Sequence, residues 1–167
     1  MPSSNYPTGF ANGVTIRGVP LLQLHPGKAF WVSNVTTGLL PGQRGGSDGN
    51  KGTFDSPFGT IDYAVGQCVA NRGDIIFVKP GHTETVDAAT DIVLDVAGIA
   101  IVGLGSGSNR PTLTFSVAAT ANIPVTAANI TIYNILHKAN FADIVSAYTA
   151  TGTATPTDFT IDSCEFR

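Results

Sequence analysis

Charge is what this chain has least of. Lys, Arg, Asp and Glu make up 13% of its 167 residues, where about 25% is usual for a soluble domain. So little charge leaves surface that is weakly hydrated and not self-repelling, which suits packing against other chains. Nine basic residues against twelve acidic ones give a net charge of -3, and the basic residues form no stripe. That excludes a general nucleic-acid binder, which needs clustered cations to displace counterions. Cysteine is scarce too. Cys68 and Cys164 stand far apart, with no CxxC and no His at ligand spacing, so the pattern excludes a zinc module and reads as two buried free thiols. No apolar run approaches the ~20 residues that span a bilayer, so no membrane segment is expected. Met1-Pro2-Ser3-Ser4-Asn5 lacks the charged and apolar stretches of a secretory leader, so a chain made and retained in a cytoplasm is expected.

What is present falls into three textures. Residues 1–33 hold Pro2, Pro7, Pro20 and Pro26 and glycines at 9, 13, 18 and 27, so no long regular element fits there. The segment is nevertheless rich in large apolar groups, which must be buried on something else. We read it as an extended arm. Residues 34–59 are a Gly-rich loop, and residues 60–167 form the body. Thr60 to Val69 reads as a short helix, with Ile61, Ala64, Val65 and Cys68 at helical spacing and Asp62 in the first turn.

After Gly73 the helical period gives way to short β-type runs. One slot recurs four times, as Ile75-Ile76-Phe77-Val78, Ile99-Ala100-Ile101-Val102, Ile130-Thr131-Ile132-Tyr133 and Phe159-Thr160-Ile161-Asp162, at intervals of 24, 31 and 29 residues. The first and third positions are large and apolar each time, as inward residues would be. A slide of 31 residues also sets Ile92 over Ile123, Ile99 over Ile130, Leu104 over Ile135 and Leu113 over Ile144. Gly98 falls over Asn129, and both tolerate left-handed backbone at a tight corner. The intervals are too long for a meander and hold no helix for a βαβ unit. Each contains two further short runs, so three strands per turn are expected. The fold class read from this is all-β: a right-handed parallel β-helix of three to four coils, behind a capping helix and the arm. Phe77, Ile101, Ile132 and Ile161 are expected to stack as one inward ladder.

The coils carry few groups capable of chemistry. The acids Asp91, Asp95, Asp143, Asp158, Asp162 and Glu165 form no stack, because Asp162 and Glu165 fall over Tyr133 and Leu136. His82-Thr83-Glu84 is short of a metal site and reads as a polar turn after Pro80-Gly81. His25 and His137 are isolated. Gly103-x-Gly105-x-Gly107 has no helix behind it to cradle phosphate. Tyr148 to Asp158, dense in Thr, reads as a bulging loop. No catalytic residue, metal ligand or cofactor is expected, and the protein is not expected to be an enzyme.

Two stretches resemble known families. Gly46-Ser47-Asp48-Gly49-Asn50, Ser56-Pro57-Phe58-Gly59-Thr60-Ile61 and Gly73-Asp74-Ile75-Ile76-Phe77-Val78-Lys79-Pro80-Gly81 resemble the opening of pectin-lyase-like right-handed β-helices. That scaffold carries lyases, hydrolases and inert virion parts alike. Asn5-Tyr6-Pro7-x-Gly9-Phe10 with Gly13-Val14-Thr15-Ile16-Arg17-Gly18-Val19-Pro20 and Phe30-Trp31-Val32 resembles the start of structural proteins of tailed bacteriophages. The resemblance implies a virion protein assembled in the host cytoplasm. The reading it favours is a capsid decoration or cement protein, homotrimeric, whose arm binds the major capsid protein through Tyr6, Phe10, Ile16, Leu22, Leu24 and Trp31. These residues folding back on the chain's own coil ends is an equal alternative. Two others are a tail fibre or tailspike segment docked on a baseplate or tail protein, and a polysaccharide depolymerase with catalytic coils beyond residue 167. Neither nucleic acid nor membrane is expected as a partner.

Overall fold

Short alternating runs become short strands, and equal runs on successive turns find each other. The computed structural model describes residues 14–16, 19–21, 27–150 and 156–167. Strands β1 (Val14–Ile16) and β2 (Val19–Leu21) form an antiparallel pair. Strand β3 (Ala29–Val32) and helix α1 (Ile61–Gln67) precede the coils. The strands that follow are β4 (Ile75–Val78), β5 (Thr83–Val86), β6 (Ala100–Gly103), β7 (Thr112–Phe115), β8 (Ile123–Val125), β9 (Ile130–Tyr133), β10 (Leu136–Ala139), β11 (Tyr148–Ala150), β12 (Phe159–Asp162) and β13 (Glu165–Phe166).

These strands wind into three parallel sheets. The first has the order β12-β9-β6-β4-β3, the second β13-β10-β7-β5, and the third pairs β11 with β8. A bridge between Leu94 and Val125 carries the third face back to the preceding turn. The chain visits the faces in rotation, making a β-solenoid of about three turns with one short helix. The expected parallel β-helix architecture is therefore what the chain adopts.

The core is the inside of this prism. Ile76, Ile101 and Ile132 line the first sheet, Leu113 and Phe115 the second, and Ile123 and Val125 the third, all buried. Each contributes about 1.5–3 kcal/mol by leaving water. At one corner the N–H groups of Asn71, Gly98 and Asn129 donate to the carbonyls of Ala97, Ala128 and Thr157 on the next turn, at 2.8, 3.0 and 2.9 Å. Those three residues and Asp158 all have φ between 56° and 73°. This is the left-handed corner that the Gly98 and Asn129 alignment implied, repeated turn by turn.

Two alignments need correction. Ile76, not Phe77, pairs in register with Ile101, Ile132 and Ile161. All four residues from Ile75 to Val78 are apolar, so alternation could not set their phase. The outward pair is apolar for a reason of its own, since Phe77 packs on Trp31 with ring centroids 4.9 Å apart. Leu113 faces His137 rather than Ile144. The turn from the first to the second sheet spans residues 104–111 on one coil but only residues 134 and 135 on the next, so a fixed slide fails past that point. Asn134 makes the tight turn with φ 56°, and its Nδ2 donates to the carbonyls of Gly103 and Gly105 at 2.8 and 3.0 Å.

The first sheet starts earlier in the chain than the residues 1–33 boundary of the arm. β3 pairs in parallel with β4 from Ala29 to Val32, so the end of that segment is a rung of the solenoid. Among the described residues the second and third sheets have no matching rung, and α1 packs over β3 and β4 with Ile61, Ala64 and Val65 buried. The helix begins where Thr60 Oγ1 accepts the Tyr63 N–H at 3.3 Å. It ends where Cys68 turns to extended backbone.

Candidate functional site

Of the residues expected to make attachment contacts, Tyr6, Phe10, Leu22 and Leu24 lie outside the described residues. Ile16 lies in β1. Trp31 sits on β3 facing away from the core, with the Phe77 ring beside it and Phe54 meeting it edge-on at 4.9 Å. Lys79 Nζ lies 4.3 Å from the centre of the Phe54 ring and donates to the Phe54 carbonyl at 3.1 Å. The Trp31 amide donates to Gly52 and its carbonyl accepts from Phe58, at 2.9 and 2.8 Å. The place where the arm enters the body is thus held on both its backbone and its aromatic side.

Around this junction lies a polar constellation that the sequence reading did not assemble. Asp48 Oδ1 accepts the N–H groups of Gly59 and Thr60 at 2.8 and 3.0 Å, and Oδ2 accepts the Thr60 hydroxyl at 3.0 Å. One loop carboxylate therefore binds the donors ahead of α1 and orients its cap residue. Glu84 Oε2 accepts the Ile61 N–H at 3.2 Å. Asp62 Oδ1 accepts the Val93 N–H at 2.9 Å. Burial pushes the Asp62 carboxyl up; the Val93 N–H opposes this, and Asp95, Glu84 and Asp48 add to the rise.

The segment read as a polar turn is instead strand and core. Thr83 opens β5, and His82 just before it is wholly buried. Its Nδ1 accepts the Asn34 N–H at 3.1 Å, and Nε2 lies 3.0 Å from Glu84 Oε2. A signal was available, because His82, Glu84 and Val86 alternate with Thr83 and Thr85.

Asp74, also wholly buried, ties three segments together. It accepts the N–H groups of Lys28 and Val69 at 2.7 and 2.8 Å and a two-pronged contact from Arg72 at 2.7 Å. Burial would raise its pKa, but the Arg72 hydrogen bonds and the two amides outweigh that and bring it to about 2. Lys28 directly precedes β3, so this carboxylate clamps the other side of the same junction.

Farther along, His137 is a core residue with 2% exposure. Phe166 stacks on it at 4.5 Å and Phe115 at 6.3 Å. Its Nε2 is hydrogen-bonded to the Tyr148 hydroxyl, while Nδ1 has no hydrogen-bond partner among the described residues. Burial lowers its pKa to about 4, against smaller opposing contributions from the backbone of Glu165 and Ile135. Tyr148 belongs to β11, so the Thr-rich segment expected to bulge as a loop begins as a rung paired with β8; residues 151–155 lie outside the described residues. Cys68 and Cys164 are free and half-buried. Burial pushes the Cys68 thiol up to about 12 and raises that of Cys164, so neither is an activated nucleophile.

Chemically, these groups hold backbone in place. Each carboxylate of the junction accepts at least one backbone amide. Among the described residues, no three of His, Cys, Asp and Glu are grouped to hold a metal ion, and no helix is long and apolar enough to cross a membrane. A polar cleft of about 320 Å³ lies in the loop between Arg44, Asn50, Lys51, Thr53 and Ser56. Comparison with family descriptions, curated proteins and solved structures finds no match for this chain.

Proposed function

We propose that this chain is a structural virion protein of a tailed bacteriophage, a capsid decoration or cement protein. Its N-terminal arm binds the major capsid protein, and its β-solenoid projects from the shell or clamps a symmetry point. The observation that carries this reading is the continuity of arm and body. The chain runs from residues 1–26 into β3, which is a rung of the first sheet and is held by Asp74, Phe77, Phe54 and Gly52. An attachment segment built this way passes load to the whole stack instead of to a loop. Sparse charge and the large apolar groups of the arm support the same reading, since a segment of this composition gains by burying them on a partner. A homotrimeric body presenting several arms would bind by multivalency.

The test is truncation ahead of β3. Removing residues 1–26 leaves the rung and its clamps in place. The expected result is a folded body that no longer sediments with capsids, whereas the full chain does. Undiminished co-sedimentation of the truncated body would reject the arm as anchor. Binding to isolated tails or baseplates but not to capsids would favour the tail fibre or tailspike reading. Release of reducing ends from host capsule by the full gene product would favour the depolymerase.

A further inference from the structure

The outer face of the first sheet differs from that of the second. Register sets Trp31, Phe77, Val102, Tyr133 and Asp162 side by side across all five of its strands. Three of these are aromatic and one is valine; Tyr133 keeps 41% of its surface exposed. The neighbouring outward slot holds Ala29, Ile75 and Ala100. The same slots of the second sheet hold Thr83, Thr85, Thr112 and Thr114, then Leu136 and Lys138. Threonine builds such a strand as well as an aromatic residue does, so an aromatic row on an outer face is surface that gains by being covered.

The row carries charge only at its two ends. Lys79, the residue after β4, reaches the Phe54 ring that meets Trp31 edge-on. Asp162 closes the row, three strands farther along the sheet from β4. At about 4.8 Å per strand they lie about 14 Å apart along the stack, too far to pair within one chain. Neither forms an ion pair among the described residues.

We propose that this face binds the same face of a second copy of the chain, with the two solenoids antiparallel. A two-fold axis along the strand direction turns the row over onto itself. Val102 then meets its own counterpart, and Phe77 meets the partner's Tyr133. Trp31 and Lys79 meet the partner's Asp162, and the symmetry repeats that contact at the other end. Each unpaired cation gains the anion its own chain holds out of reach, while the aromatic middle leaves water on both sides. Parallel solenoids would instead set Asp162 level with Asp162 and Lys79 level with Lys79. Four-residue strands on five rungs give a face of about 13 by 19 Å. That is well under the roughly 800 Å² each partner buries in a standard stable complex, so the pair is reversible. The pairing does not rest on the attachment reading.

The test is sedimentation equilibrium of the full chain from about 10 μM to about 1 mM. A reversible monomer–dimer equilibrium is expected. Val102→Lys sets two ammonium groups against each other on the two-fold axis and should abolish it. Lys79→Asp and Asp162→Lys should each weaken the dimer about tenfold, and combining them should restore it to within about threefold of the wild type. A chain that stays monomeric to about 1 mM would overturn the pairing. So would a dimer untouched by Val102→Lys, or charge substitutions whose losses add in the double variant. Trimers alone would overturn it too, while leaving the attachment reading standing. The charge exchange, made at the ends of the row, decides the matter should Val102→Lys not fold.

Discussion

Ile76 and Ile161 occupy the same inward ladder, yet Ile76 is wholly buried while Ile161 keeps 38% of its surface exposed. Near Ile76 the stack is closed by β3 and α1. Near Ile161, β12 and β13 form the last described rung, where Phe166 is also 55% exposed. Side-chain type and slot are identical, so the difference lies entirely in whether a rung lies on both sides. The poles also differ in chemistry. The closed pole is knit by carboxylates binding amides, through Asp48, Asp74 and Glu84. The other has His137 between Phe115 and Phe166, and its carboxylate, Glu165, meets the guanidinium groups of Arg110 and Arg167. A cap that replaces strands with a helix leaves amide donors that need side-chain acceptors, whereas stacked rungs satisfy their amides strand to strand.

The largest expected effect breaks the ladder itself. Ile132→Ala in the middle of the stack should cost about 3–4 kcal/mol, and Ile161→Ala about 1 kcal/mol or less, because the outer site is already open to water. Denaturant unfolding of the two variants measures the contrast, and equal losses would show that the outer rung is covered in solution.

Acid should separate the poles by pH window. His137 has its pKa lowered to about 4 in the fold. The unfolded chain therefore takes up this proton first, and stability present above about pH 6.5 is lost as pH falls toward 4, by up to about 3 kcal/mol. Asp74 has its pKa lowered to about 2, so its contribution is complete above about pH 4 and lost only below that. His137→Phe, which keeps a ring between Phe115 and Phe166, should flatten the unfolding midpoint between pH 6.5 and 4. It should leave the steeper loss below pH 4 intact. Asp74→Asn should do the reverse, at a cost near neutral pH of about 2 kcal/mol from weakened hydrogen bonds.

The smallest effect is the cap. Thr60→Ala removes the acceptor for Tyr63 and the hydroxyl that Asp48 holds. It should lower stability by about 1 kcal/mol. Exchange should quicken in α1 but not at His137, a sharper statement of how far the two poles are independent.

The repeat of Ile99, Ile130 and Phe159 was legible because inward positions of a stacked coil must be apolar on every turn. Gly98 over Asn129 was legible because few residues accept a left-handed corner. The helix could be placed from Thr60, Asp62 and three apolar residues at its spacing. The phase of Ile75 to Val78 was not legible, since a strand apolar on both faces gives alternation nothing to choose between. β3 was missed because its partner lies across the whole of the loop and helix. Of the expected attachment residues, Trp31 has defined side-chain neighbours and Ile16 a strand partner, Val19. The polar junction was invisible because its members are drawn together from residues 28–34, 48, 59–62, 72–74 and 82–84.

By itself, then, the chain's pattern of apolar residues and corner formers determined that it winds, with three short strands to a turn. A local period needs only local information. Which residue stacks on which, where the stack begins, and that His82, Glu84 and Asp74 serve the interior were decided only when the coils closed. Register and burial are properties of the partner strand, and the partner is set by turn lengths that a sequence period does not encode.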